Sequence, residues 1–535
     1  MTDKNRAEVL KGAGILSVGT LLSRVLGLGR DIALAALFRR QDTDIFFVAF
    51  TIPNTFRQLL GEGAMSSAVV PLLAQKMTRE GEHATRFVYA RFKGFFIFAL
   101  AVTTAGGMLF AEPLCELFAS GYHDYGSQFE RTVTMTRFVF PYLFLMGISL
   151  LDASALQVKR SFIASALAPS WLNISFLLTA FLLPPWLHAR GLDPAYAMGT
   201  GALLGGVLQV VCQWPSLRQL GFWVKPVLDF REPTIALFFR RIGPMLIGVG
   251  VYYVDVLFSR RFLSELGIGA PSYFMWAMRI CDLPQAVFGM ALTSASLPMM
   301  ATLVSSGQLS QLVHLFSSNL RLVLSVAIPA SVMLVVLAEP FTAALFQRGQ
   351  FDQVAMHETA RALAWQGGGL WMVVVVRQVI PLFHALEDTK TPILISALDF
   401  LVFFGLASLL KGPMGHCGVS AAVVGASLFQ MVFLCLCLGV RFKQFPWKEV
   451  IHSALRILQA SAVAGGGAWG ICCWVSAKIP STWTILHAII GVGLFGLLFL
   501  GACWLLGVSE LTPVARMLMR RIPFLSIRSS PFHDR

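Results

Sequence analysis

Residues 23–38 read SRVLGLGRDIALAALF, which sets Arg24, Arg30 and Asp31 inside an otherwise apolar stretch. Ser17, Thr20, Arg24, Gly27 and Asp31 recur at helical spacing with Ser23 and Arg30 beside them, so one helix face is polar and the other apolar. A second cluster lies in IPNTFRQLLGEGA, where Asn54, Arg57, Gly61 and Glu62 fall near one face and Pro53 loosens the helix. A third places Arg279, Asp282, Ala286, Gly289 and Thr293 in line. A single arginine near a helix end can snorkel to the headgroups. Three central ones facing lipid would cost roughly 8 to 10 kcal/mol even on a lenient insertion scale. Asp31, Glu62 and Asp282 could neutralise part of this as internal ion pairs, but pairing alone does not require polar stripes on several helices. A hydrated cationic cavity accounts for the stripes, and its natural guest is an anion. Arginine, whose planar fork suits phosphate oxygens, is used in these interiors and lysine is nearly absent.

The elements that position these groups are transmembrane helices. The chain has 535 residues, 56% of them hydrophobic and 13% charged, with a mean hydropathy of +0.70. This is the balance of an all-α polytopic membrane protein. Apolar windows give fourteen spans, near 9–37, 45–73, 87–111, 132–157, 162–184, 195–214, 235–262, 271–303, 320–338, 359–385, 392–410, 418–440, 453–476 and 483–506. Of the 42 Lys and Arg, 26 fall on the side of the N-terminus, 10 on the opposite side and 6 deeper within spans. Both termini are therefore expected in the cytoplasm. The formal charge of +14 forms no basic domain, which argues against nucleic acid as a partner. The nine cysteines lie mostly within apolar segments and read as packing residues, and no small-residue cleavage site follows the first apolar run.

An internal repeat orders the spans. SSAVVPLLA at 66–74 aligns with TSASLPMMA at 293–301, and AEPL at 111–114 with AEPF at 338–341, both at an offset of 227. The expected organisation is an N-lobe, 1–227, a parallel C-lobe, 228–450, two additional helices at 451–506 and a basic cytoplasmic tail at 507–535.

SRVLGLGRD, TDIFFVAFTIPNTFRQLLGEGAMSSAVVP, RFVFPYLFL, APSWLNI, GGVLQVVCQWPSL and FGMALTSASLPMM together resemble the MurJ (MviN) lipid II flippases of the MOP exporter superfamily. The resemblance runs over nearly the whole chain. It implies two six-helix lobes and a cavity that opens alternately to cytoplasm and periplasm. The implied substrate is the undecaprenyl-diphosphate-linked peptidoglycan precursor, lipid II, in the bacterial inner membrane, with cell-wall synthesis proteins as further partners. Carried over by motif, the site residues are Ser23, Arg24 and Arg30, then Asp44, Asn54 and Arg57, and Arg279. Gln58, MRICDLPQ and HALEDTKTP depart from the family pattern. The resemblance also implies an apolar groove for the lipid tail in the last two spans.

No cofactor is expected. Without a phosphate-cradling GxxxxGK[ST] motif, energy must come from Na+, H+ or membrane potential, and Asp255 and Asp399 are the isolated acids for an ion site, unless each simply pairs with a base such as Arg377. An exporter of another polyprenyl-linked glycan, or a drug or cation antiporter of the same superfamily, is the alternative, although an antiporter for cations calls for an acidic cavity. A membrane enzyme is disfavoured by the lack of HExxH or paired-carboxylate loops.

Overall fold

Helix covers every one of the expected spans wherever the chain is described, and no strand occurs among the described residues. The computed structural model describes residues 3–58, 68–285, 299–476, 483–508 and 510, and the side chains of 3–17, 241, 244–249, 251–252 and 475–476 lie outside that description. Among the described residues eight helices are long and apolar enough to cross a membrane, or nine if Gln353–Gly368 and Leu370–Ala385, bent by 41°, form one span.

The chain divides into two compact units, Met1–Trp276 with Phe346–Glu358 and Phe403–Val419, and Ala277–Leu345 with Thr359–Val402 and Ser420–Arg535. The first unit contains α1 (Asp3–Leu37), α2 (Arg40–Gln58), α3 (Val70–Leu109), α4 (Ala111–Ala119), α5 (Gln128–Val139), α6 (Pro141–Val158), α7 (Ile163–Ala189), α8 (Tyr196–Val211), α9 (Trp214–Gln219) and α10 (Pro233–Ser264), and the start of α11 (Ala270–Pro284). Gly81, at φ 82°, breaks α3 inside its range, with the end of the second span before the break and nearly all of the third after it.

Small residues decide how these helices pack, as expected where lipid supplies no hydrophobic drive between helices. A Cβ on Gly201 or Gly205 of α8 would lie 2.5 Å from Thr179 Oγ1 or Ser175 Oγ of α7. On its other side α7 receives α1, where a Cβ on Gly19 would lie 2.7 Å from the Ala166 carbonyl oxygen. Helix α7 is thus the post against which the polar face of α1 is set. A core including Val48, Ile52, Tyr89, Phe92, Phe140 and Leu143 fills the space among α2, α3, α5 and α6.

At the end of the unit where α2 begins, polar contacts replace apolar ones. Gln350 N donates to the Ala36 carbonyl at 2.8 Å, and Gly349, at φ 58°, lies so close that a Cβ would meet that carbonyl oxygen at 2.2 Å. Only glycine satisfies both the backbone angle and the gap.

In the second unit Leu309–Val336, Leu370–Ala385, His416–Arg441 and Trp447–Ser476 pack around Leu320, Leu324, Val379, Leu434 and Ile457. They enclose a cavity of about 520 Å³ lined by Leu324, Ile328, Val332, Trp371, Trp447 and Leu458 among others, almost wholly apolar.

Candidate functional site

The polar stripe of α1 meets a polar position on α7 that the stripe analysis did not include. Arg30 donates from Nε and Nη2 to Asp31 Oδ1 at 2.9 and 2.7 Å, and from Nη1 to Asn173 Oδ1 at 3.1 Å. Asn173 Nδ2 in turn donates to the Ser23 carbonyl at 2.8 Å and to Ser23 Oγ at 3.3 Å. One amide therefore holds two positions of α1, with Gly27 between them facing the same amide. The Arg30 guanidinium also lies over the Phe176 ring, 5.3 Å from its centroid. Among the described residues, three of the five N–H donors of Arg30 are used.

On α2, Asn54 Oδ1 accepts from Arg57 Nε at 2.7 Å, an i to i+3 contact on the face shared by both residues. No carboxylate pairs with Arg57 among the described residues, and Glu62, the acid expected beside it, lies outside them, as do Gly61, Ala286, Gly289 and Thr293. The buried Tyr142 of α6 lies near both Arg57 and Arg30, close enough for their charges to act on its hydroxyl. Phe50 and Phe176 wall this space, the Phe50 ring tilted at 5.0 Å from Tyr142 and edge-on at 6.2 Å from Phe176. Four helices, α1, α2, α6 and α7, thus bring two guanidinium groups, two amides, a serine and a tyrosine to one half-buried region. Arg24, nearly two turns before Arg30, is half-buried and engaged with neighbours of its own.

The remaining expected residues are placed elsewhere. Asp44 is fully buried and accepts from Gly269 N at 2.5 Å, Ser272 N at 2.9 Å and Ser272 Oγ at 2.5 Å. It is the cap of α11, its negative charge set against the orphan N–H groups and positive dipole end of that helix. Next to it, Arg40 binds Tyr273 Oη at 2.8 Å and Asp352 Oδ2 at 2.5 Å. In the second unit Arg279 and Asp282 form a half-exposed pair at 3.6 Å. Asp255 is half-buried on α10, and Asp399, on Lys390–Met414, has a buried Oδ1 with no hydrogen-bond partner among the described residues. No ion pair joins Asp399 to the exposed Arg377 among those residues.

Asn173 was legible only as a polar residue in the middle of an apolar span, a signal that by default marks function in membrane helices. Also unforeseen was a fully buried carboxylate, Asp152 of α6, whose Oδ1 accepts from Lys93 Nζ at 2.9 Å and Tyr89 Oη at 2.6 Å. Arg131 bridges Asp42 and Asp193, each at 2.6 Å, and ties α5 to the start of α2.

Residues 34–492 match the family model described as lipid II flippase MurJ. The chain belongs to the lipid II flippase MurJ family. It is 32% identical over 506 residues to the lipid II flippase MurJ of Burkholderia cenocepacia, covering 91% of this chain and 95% of that one. It is 28% identical over 513 residues to a probable lipid II flippase MurJ of Vibrio cholerae, covering 94% and 97%. Among solved structures it resembles a lipid II flippase MurJ in an inward closed conformation, with TM-score 0.74 and 21% identity over 90% of this chain and 97% of that one. It also resembles an inward-facing multidrug resistance MATE family transporter of the MOP superfamily, with TM-score 0.66 and 14% identity over 81% and 98%. At these identities the structural likenesses establish the all-helical fold alone.

Proposed function

We propose that this chain carries lipid II from the cytoplasmic to the periplasmic leaflet by alternating access, as a transporter with no catalytic step. The observation that carries the reading is Arg30 held by Asn173 over the Phe176 ring, with Phe50 joining that ring to Tyr142 and to α2, the helix that carries Arg57. The diphosphate is held by Arg24, Arg30 and Arg57, joined by Arg279 on the strength of its motif, while Ser23 and Asn54 orient two of the forks. Asp31 keeps Arg30 aimed and offsets part of its charge, so that the site discriminates by fork geometry as well as by net charge. An inward-facing set of arginines does not suit an exported cation, which removes the support for a drug or cation antiporter.

The lobes 1–227 and 228–450 move against each other, and the Asp44 cap and Arg40–Asp352 pair hold the periplasmic end shut between cycles. The polyprenyl tail stays in the bilayer, and the apolar cavity beside Trp447–Ser476 is a fitting place for part of it. Na+ or H+ coupling through Asp255 and Asp399, or membrane potential, supplies the energy. The protein spans the inner membrane with both termini cytoplasmic and works beside cell-wall synthesis enzymes that make and consume its substrate.

The test is complementation of a flippase-depleted bacterium by this chain and by Arg24→Ala, Arg30→Ala, Arg57→Ala and Arg279→Ala variants of equal membrane abundance. Rescue by the parent and failure of the arginine variants are expected. Full rescue by all four variants would remove the cationic site.

A further inference from the structure

The connection between α8 and α10 carries its charges in a one-sided way. From Trp214 to Arg240 the bases Arg218, Lys225, Arg231 and Arg240 are all exposed. The acids Asp229 and Glu232 both turn inward onto Arg91, at 3.3 and 2.6 Å. The apolar residues Trp223, Val227, Leu228 and Phe230 also face outward, and Trp214 packs edge-on against Trp223 at 4.9 Å. This strap is fixed, not loose. Phe222 is buried against Tyr89 at 5.6 Å, Val227 N donates to the Ala90 carbonyl at 3.0 Å, and a Cβ on Gly94 would meet the Val227 carbonyl oxygen at 2.2 Å.

We propose that the strap 214–231 is a docking surface for the anionic phospholipid headgroups of the cytoplasmic leaflet. A rigid ribbon that presents tryptophans interleaved with exposed cations, its own acids turned inward onto Arg91, complements a layer that is apolar just below and negatively charged at the level of the phosphates. The short length of α9 and the extended stretch after it rule out a span and suit a segment lying in the interface plane. Arg218, Lys225 and Arg231 make the phosphate contacts, and Trp223 and Phe230 set the depth. The side of the membrane rests on the orientation given under the proposed function. Lipid recognition itself does not.

The experiment uses the full chain in nanodiscs of phosphatidylcholine containing a fixed fraction of brominated phosphatidylglycerol or, in parallel, brominated phosphatidylcholine. Tryptophan quenching is expected to be stronger with brominated phosphatidylglycerol, and Trp223→Phe should reduce the quenched fraction. The variant Arg218→Gln/Lys225→Gln/Arg231→Gln should lose the preference, with each removed cation weakening local enrichment by up to about fivefold. High salt should weaken the preference of the parent. Arg190→Gln, remote in sequence and seated on Trp186, should retain it. Equal quenching by the two lipids in the parent, or an undiminished preference in a monodisperse triple variant, overturns the proposal. Labelling of Lys225→Cys in intact cells by an impermeant maleimide tests the side separately. Labelling without permeabilisation would put the strap in the periplasm, sinking the orientation and the choice of leaflet while leaving the nanodisc result to decide lipid recognition.

Discussion

Asp44→Ala is the substitution whose consequence follows most directly from geometry. The carboxylate is fully buried and takes three hydrogen bonds, two of them from backbone N–H groups, of Gly269 just before α11 and of Ser272 in its first turn. Those groups have no acceptor within their own helix. Truncation leaves both unpaired, at about 1–3 kcal/mol each, while the Ser272 hydroxyl can turn to its other neighbour, Thr43 Oγ1 at 2.7 Å. If this cap acts as the proposed latch, the closed form should therefore weaken by about 2–6 kcal/mol, or roughly one and a half to four and a half powers of ten relative to an open one. Amide hydrogen exchange reads this locally. In Asp44→Ala, peptides covering 267–275 should exchange at least about thirtyfold faster than in the parent, with peptides of α7 around Asn173 unchanged. Asp44→Asn, which keeps an acceptor and loses the charge, should fall between. Exchange within about threefold of the parent at 267–275 would show that the cap does not hold this end shut, and the latch reading would fail.

Three further outcomes follow from other contacts. Asn173→Leu should fold and insert normally yet rescue flippase-depleted cells poorly, because Arg30 loses its aim, and Asn173→Gln should restore part of the activity in the same complementation assay. Lys93→Met should lower stability by about 3–5 kcal/mol by leaving the Asp152 charge buried and uncompensated. Lys93→Met/Asp152→Leu should recover most of that loss in thermal unfolding. Asp388, in the loop before Lys390–Met414, accepts from Thr391 N at 3.0 Å, Thr391 Oγ1 at 2.9 Å and Arg441 Nη1 at 3.0 Å. The backbone hydrogen bond from Thr391, the largest cause, joins the others in holding its carboxyl below the ordinary 3.8. Its contribution is complete above that ordinary value and is lost as pH falls through the depressed one. Asp388→Ala should thus cost about 1 kcal/mol at neutral pH, with the gap in melting temperature to the parent closing only below about pH 4.

The spans were legible because a bilayer demands about 20 apolar residues per crossing, a constraint written locally in the chain. The stripe on α1 was legible for the same reason, since the helical period aligns Arg24 with Asp31. Contacts across long separations were not. Asn173 stands 143 residues from Arg30, and no local pattern says that an amide on the fifth span will clasp the first. Asp44 carried a motif but no role, since a carboxylate at a helix start looks the same whether it caps a distant helix or binds a ligand. Lys93 and Asp152 appear in sequence as ordinary charges near span ends, and only the packing of α3 on α6 makes them a buried pair. The inward turn of Asp229 and Glu232 likewise depends on Arg91 of another helix.

Equilibrium binding to the purified full chain tests the cationic site most directly. The ligands are an undecaprenyl-linked disaccharide carrying a diphosphate and the same compound carrying one phosphate. The parent should prefer the diphosphate, and Arg30→Gln/Arg57→Gln should weaken its binding by about a hundredfold or more, at roughly 1.5–3 kcal/mol per charged hydrogen-bonding group, and abolish the preference. Unchanged affinity and unchanged preference in a folded double variant would contradict the reading that these two guanidinium groups grip the diphosphate.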